Sequence, residues 1–150
     1  MRNDIHKCMQ IETKGGVREL ENVVYSVECK TCGLNYIGET GQHYCDRRDQ
    51  HKRDINQRKT SNALYDHMMK NERHKINWGK VYFSDKEKNW KGRKIKEAIY
   101  INAIVPTTLM DKEKLMNLEK GFELDPIWKE LNTPIRDQIK HVIKQTTMLK

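Results

Sequence analysis

The sequence predicts a mixed α+β domain, and three observations carry that expectation. Two short β-branched and aromatic runs flank a turn near the start, a basic segment with helical spacing follows them, and a further strand is succeeded by a further helix. A chain of 150 residues suits one domain with a modest core and is short for two. With 33% of residues charged and a mean hydropathy of -0.94, most of the surface around that core must be polar. Lys and Arg number 29 against 21 Asp and Glu, a net charge of +8, so the natural partner is a polyanion. Nucleic acid fits better than a membrane, because no apolar run approaches spanning length and no signal-peptide pattern opens the chain.

The elements follow in order. Residues 1–22 are polar, lack a clear period and contain Gly15-Gly16, which reads as a leader or linker. Val23 to Val27 has strand composition, Cys29 to Gly33 has turn composition, and Leu34 to Gly38 resumes strand character, together a β-hairpin. From Gln42 to Gln57, Tyr44, Arg47, Arg48, His51 and Ile55 recur at helical spacings, so this segment reads as a basic helix. A second helix is expected from Ser61 to Lys70, with Ser61 as N-cap and Ala63, Leu64, His67 and Met68 on its apolar face. Lys80 to Ser84 reads as a third strand, and Asn89 to Ala103 as a helix with Ile95, Ile99, Tyr100 and Ile101 turned to the core. Pro106 bars its continuation. Pro126 to Trp128 and the spacing of Ile135, Ile139, Val142 and Ile143 predict one or two terminal helices, with 129–150 as a helical tail.

Charge and cysteine usage narrow the chemistry. From Lys70 to Lys96 basic residues far outnumber the acids, which are Glu72, Asp85 and Glu87. Such a run is either a solvated face or a phosphate-binding one. Four cysteines without a secretory signal argue for a reducing compartment, where a Cys-x-x-Cys pair binds metal or does redox work. Cys29 and Cys32, at the hairpin tip, can chelate a tetrahedral ion and leave two positions open. A plain reduced surface pair is the alternative; a redox dithiol fits less well, since those motifs sit where a strand enters a helix. Cys8 and Cys45 are expected to be incidental.

Several separate blocks carry a family resemblance. Tyr36-Ile37-Gly38 closes the hairpin, Val24-Tyr25-Ser26 stands in its first strand, Arg47 and His51 share one face of the basic helix, and Glu97 lies in the last helix within Arg93 to Ile101. This constellation resembles the GIY-YIG nuclease superfamily. Cys29 and Cys32, the run Tyr36 to Gly41, the block Arg47 to Arg53, His74 to Trp78 and Asp85 to Ile95 are similar to the endonuclease domain of Penelope-like retroelements, over roughly residues 23–128. The sequence departs from the superfamily at the first motif, which lacks its Gly-Ile, and after the last helix, where Asn117 is only a distant candidate for the usual supporting Asn.

The resemblance implies a small three-stranded antiparallel sheet flanked by helices, with a zinc-braced hairpin, and a DNA endonuclease activity. It implies that His67 and His74 complete a structural zinc site with Cys29 and Cys32, a brace between distant segments. Glu97 is the expected ligand of one Mg²⁺ or Mn²⁺, and Arg47 the expected charge partner of the reacting phosphate. Tyr25 and Tyr36 take the two tyrosine positions, where burial in a strand would otherwise be their whole role; a tyrosine must be activated by a cation or a relay to act as a base. His51, titrating near neutrality, suits a proton acceptor or a hydrogen-bond partner of a tyrosine. Lys52, Arg53, Lys88, Lys91 and Lys94 would flank the site as phosphate contacts, Arg48 would face solvent or the DNA backbone, and Trp78 and Trp90 would be core. Without these companions Glu97 would simply pair with Arg93 on a solvated helix face. A nuclear location and a reverse transcriptase in the same polypeptide are further implications, and a zinc-stabilised nucleic-acid-binding module that has lost catalysis is the competing expectation.

Overall fold

The computed structural model of this protein describes residues 20–104, 115–118, 121 and 123–125. Readings that fall on Cys8 and the leader through residue 19, on Pro106, on Pro126 to Trp128 and on the 129–150 tail lie outside the described residues. The elements run β1 (Val23–Cys29), β2 (Asn35–Thr40), α1 (Tyr44–Asn56), α2 (Ala63–Lys70), β3 (Ile76–Lys86) and α3 (Trp90–Ile104). The fold is therefore α+β, a three-stranded antiparallel sheet in the order β2-β1-β3 with three helices.

β1 is almost wholly buried because both faces of the central strand are covered. Side chains alternate across a strand, and here the alternation sorts them cleanly. Tyr25, Val27 and Cys29 enter one core with Tyr44 of α1, Leu64 of α2 and Ile76 and Val81 of β3. Val24 enters a second core with Ile37 of β2 and Ile101 of α3. The sequence Val23-Val24-Tyr25-Ser26-Val27 is what a strand packed on both faces requires, since β-branched and aromatic side chains fill such surfaces well.

Four sequence expectations are corrected. β3 begins at Ile76 rather than Lys80 and ends at Lys86 rather than Ser84. Its early half looked polar because Asn77 and Lys80 both reach Glu28 of β1, at 3.3 and 3.0 Å, so these residues are paired across the sheet. The cap of α2 is Asn62, not Ser61: its side-chain oxygen accepts from the backbone N–H groups of Leu64 and Tyr65. Packing also starts within the expected leader, for Leu20 is buried and its carbonyl accepts from Tyr44 N–H at 3.1 Å. Trp90 is 57% exposed in the first turn of α3 rather than in the core, while Trp78 packs half-buried against it.

The outer edge of β2 is closed by a segment from beyond α3. Asn35 and Leu115 form a parallel bridge, and Met116 N–H donates to the Asn35 carbonyl at 2.8 Å. The Asn117 carboxamide then pairs twice with Ile37, accepting from its N–H and donating to its carbonyl, both at 2.8 Å. A side-chain amide thus replaces the neighbouring strand that the edge lacks. Asn117, 80 residues from Ile37 in sequence, thus meets β2 in the fold.

Candidate active site and metal cluster

The β1–β2 turn is built to present sulfur. Cys29 ends β1 with its N–H donating to Leu34 O at 2.7 Å, and Gly33, at φ +75°, supplies the left-handed step that lets its N–H return to Cys29 O at 2.9 Å. Lys30 N–H binds Lys75 O at 2.7 Å, which draws the start of β3 onto the turn. His67 is buried on α2, and His74 follows in the turn after that helix. The four donor atoms of Cys29, Cys32, His67 and His74 lie within 4.8 Å of one another.

The individual spacings test the fit. Cys29 Sγ to His74 Nδ1 and Cys32 Sγ to His67 Nε2 are each 3.6 Å, and His74 Nδ1 to His67 Nε2 is 3.1 Å. A tetrahedral zinc ion with ordinary metal–ligand lengths places S···N pairs about 3.6 Å apart and N···N pairs about 3.3 Å apart. The cluster can hold a metal ion such as zinc. Burial pushes the Cys29 thiol up, but backbone N–H groups of Cys32, Thr31 and Lys75 outweigh it and bring its pKa below the ordinary thiol value, which favours a thiolate. Two histidines from a helix and a turn, converging on both thiols, are not what a plain reduced surface pair would show.

A second cluster gathers where β1, α1 and the N-cap of α2 meet. Tyr25 is fully buried and its hydroxyl is 2.8 Å from His51 Nε2. His51 Nδ1 in turn is 3.1 Å from the Asn62 amide nitrogen. The Tyr25 and Tyr36 rings are 6.4 Å apart, and Tyr36 lies edge-on to the His51 ring at 5.4 Å. Gly38 makes this packing feasible: a Cβ there would lie 2.6 Å from the Tyr25 hydroxyl oxygen and 2.9 Å from a Tyr36 ring carbon. The glycine of the Tyr36-Ile37-Gly38 run is therefore a seat for the Tyr25 phenol.

Electrostatics tie Arg47 and Glu97 to the same place. Burial raises the Tyr25 pKa well above its ordinary value and Tyr36 adds to it, while the Arg47 guanidinium works in the opposite direction. Tyr36 is raised by burial, lowered by Arg47 and raised again by Glu97. Both phenols are protonated at neutral pH, and more positive charge beside them is what would activate them. His51 is pushed down to about 4 by burial and by Arg47, so it is neutral at pH 7. Arg47 donates from Nη1 to Gln50 at 2.7 Å, yet its Nε is buried with no hydrogen-bond partner among the described residues. The guanidinium also interacts with the Tyr25 and Tyr36 hydroxyls, which sets a cation beside both phenols.

Glu97 is buried rather than solvated, and its partner is Lys94, not Arg93. Lys94 Nζ lies 3.2 Å from both Glu97 and Glu39. Arg93 is buried beneath, binding Glu39 at 2.9 Å, Asn22 at 3.1 Å and the carbonyls of Glu87 and Lys88. This arginine pins α3 to β2, the strand that carries Tyr36, on which the Glu97 charge acts. Burial raises the Glu97 pKa above its ordinary value, against the pull of Lys94. A buried carboxylate whose charge costs energy gains from an additional cation.

The basic residues expected to hold DNA are distributed unevenly. Arg53, Lys88 and Lys91 are exposed. Lys52 lies 5.7 Å over the Trp78 ring. Lys94 is engaged by the two glutamates, and Arg48 pairs with Asp49 at 2.9 Å rather than facing solvent. Cys45 is half-buried and packs against the core. Asn62, Glu39 and Arg93 were not anticipated as site residues. Asn62 had a readable signal as a capping residue before Ala63-Leu64, whereas Glu39 and Arg93 meet only through the tertiary fold. Comparison with known protein families, curated proteins and solved structures finds no match for this chain.

Proposed function

We propose that this protein is a metal-dependent DNA endonuclease of the GIY-YIG type, stabilised by a zinc ion at Cys29, Cys32, His67 and His74. The observation that carries the proposal is convergence: Tyr25 from β1, Tyr36 from β2, His51 from α1 and Glu97 from α3 each interact electrostatically with Arg47 of α1. Phosphodiester hydrolysis requires an activated water, stabilisation of the charge gathering on phosphorus and a means to release the 3′-oxygen. The Arg47 guanidinium lies beside both phenols, and its planar cationic fork suits the non-bridging oxygens of a phosphate. Tyr25, hydrogen-bonded to His51, and Tyr36 offer the hydroxyls that accept or relay the proton of water.

Glu97, with Glu39 close by through Lys94, is the carboxylate that would hold one Mg²⁺ or Mn²⁺, whose charge would polarise the phosphate and lower the tyrosine pKa values. The Lys94 ammonium would swing to phosphate as it leaves Glu97. Exposed Arg53, Lys88 and Lys91 contribute sequence-independent affinity for the backbone. One specific observation favours the alternative of a DNA-binding module without catalysis: Lys94 occupies the position next to Glu97 that the cation needs. Incubating the metal-loaded chain with supercoiled plasmid, with and without Mg²⁺ or Mn²⁺, separates the two. Cation-dependent nicked circles are expected; salt-sensitive binding with no cutting in either cation contradicts the nuclease reading.

A further inference from the structure

We infer that Asn62 is a positioning residue that fixes the His51–Tyr25 pair, holding His51 with its proton on Nε2 so that the Tyr25 oxygen accepts and the tyrosine's own hydrogen points elsewhere. The helix cap fixes which way the amide faces. Asn62 has one side-chain oxygen, and that oxygen accepts from Leu64 N–H at 3.0 Å and Tyr65 N–H at 3.3 Å. Two backbone donors cannot face an NH₂ group, so the amide cannot be turned over without losing the cap. Its nitrogen therefore faces the other way, 3.1 Å from His51 Nδ1 and 3.4 Å from Asp54 Oδ2. Both amide hydrogens have acceptors. Asp54 is itself held by Lys59 at 2.6 Å, so its oxygens are fixed.

An NH₂ group only donates, which obliges Nδ1 of His51 to present its lone pair. In a neutral ring the single proton is then on Nε2, 2.8 Å from the Tyr25 hydroxyl. The ring is neutral because it is buried beside the Arg47 cation, with a pKa near 4. The charged and titratable groups facing it are Tyr25, Tyr36, Arg47 and Asp54, and only Asp54 favours its protonation.

By residue type alone His51 suits either a proton acceptor or a hydrogen-bond partner of a tyrosine. The cap geometry selects the second. His51 cannot take the Tyr25 proton in this tautomer; it donates to the Tyr25 oxygen and stabilises negative charge there, alongside Arg47. This catalytic consequence rests on the nuclease reading, whereas the proton placement rests on the hydrogen bonds alone.

The test uses ¹⁵N-labelled, metal-loaded full chain and a long-range ¹H–¹⁵N correlation spectrum at pH 7, with His51 assigned by its loss in His51→Gln. The parent should show a protonated Nε2 and a bare Nδ1. Asn62→Asp keeps a capping oxygen, since Asp caps a helix about as well as Asn, but its carboxylate has no hydrogen to give. It should accept from Nδ1–H and invert the pattern. Asn62→Ser, which caps without an amide, should yield a mixture of tautomers, and serves if the added charge near Asp54 prevents folding. A parent with the proton on Nδ1, or a parent pattern unchanged in both variants, overturns the inference. Where the parent nicks plasmid, Asn62→Asp should slow nicking by about 100-fold with DNA binding retained; inversion without any slowing overturns the catalytic part. The expected tautomers in a chain that never nicks would support the proton placement and contradict only the nuclease reading.

Discussion

Removing the metal from the Cys29, Cys32, His67 and His74 cluster should destabilise the whole domain, and the loops it closes set the size of the effect. Cys32 and His67 are 35 residues apart, and Cys29 and His74 are 45 apart. Tying residues at such separations restricts the unfolded chain by about 4 kcal/mol on the loop-closure entropy relation used for covalent cross-links. An ion at about 1,000 times its dissociation constant stabilises the state that binds it by about the same amount. For a domain of this size each kcal/mol corresponds to about 2–4 °C in Tm, so stripping the ion should lower Tm by about 8–16 °C. The assay is thermal unfolding followed by circular dichroism, before and after a chelator, with native mass spectrometry confirming that the metal has gone. Zn²⁺ should restore the original Tm, and Cys32→Ser should reproduce the stripped value without a chelator. A chain shown to be metal-free that melts within about 2 °C of the loaded one refutes the reasoning.

Three further outcomes follow from the second cluster. His51 has a folded-state pKa of about 4 against an ordinary 6.5, so between those values the unfolded chain binds more protons. Its contribution, on the order of 3 kcal/mol at most, is complete above pH 6.5 and lost as pH falls toward 4; His51→Gln should flatten that part of the stability profile, which denaturant titration across the range would read. Gly38→Ala inserts a methyl 2.6 Å from the Tyr25 hydroxyl oxygen and should cost about 1–3 kcal/mol by the same denaturant measurement. Arg47→Ala removes the cation beside Tyr25 and Tyr36 and should slow plasmid nicking by about 100-fold to 1,000-fold while an electrophoretic shift shows DNA binding retained.

The parts of the fold that were legible in the sequence are those whose signal is local. Val23 to Val27 and the Cys29 to Gly33 turn announce a hairpin through β-branched residues and turn chemistry, and the regular spacing of Arg47, His51 and Ile55 announces α1. β3 was read short because its polar positions are satisfied across the sheet by Glu28, a partner nearly fifty residues away in sequence that periodicity cannot see. The same limit applies to the site. Cys29 and Cys32 were readable as a chelating pair and the family resemblance supplied His67 and His74, whereas the contact of Asn117 with Ile37 spans 80 residues. Arg93 illustrates the limit most sharply: one turn before Glu97 it reads as a helix-surface partner, yet the sheet edge offers it Glu39, and Lys94 takes Glu97 instead.

The measurement that bears most directly on the nuclease reading is a time course of supercoiled plasmid cleavage by the zinc-loaded chain across a Mn²⁺ titration, with Glu97→Gln beside the parent and DNA binding recorded for both. The account predicts that nicked circles appear first with the parent in proportion to bound Mn²⁺, that linear DNA lags behind because one cluster acts on one strand, and that Glu97→Gln binds DNA with the same salt dependence but does not cut. Cutting by Glu97→Gln at the parent rate, or no cutting by a folded, DNA-binding parent at any Mn²⁺ concentration, would contradict it.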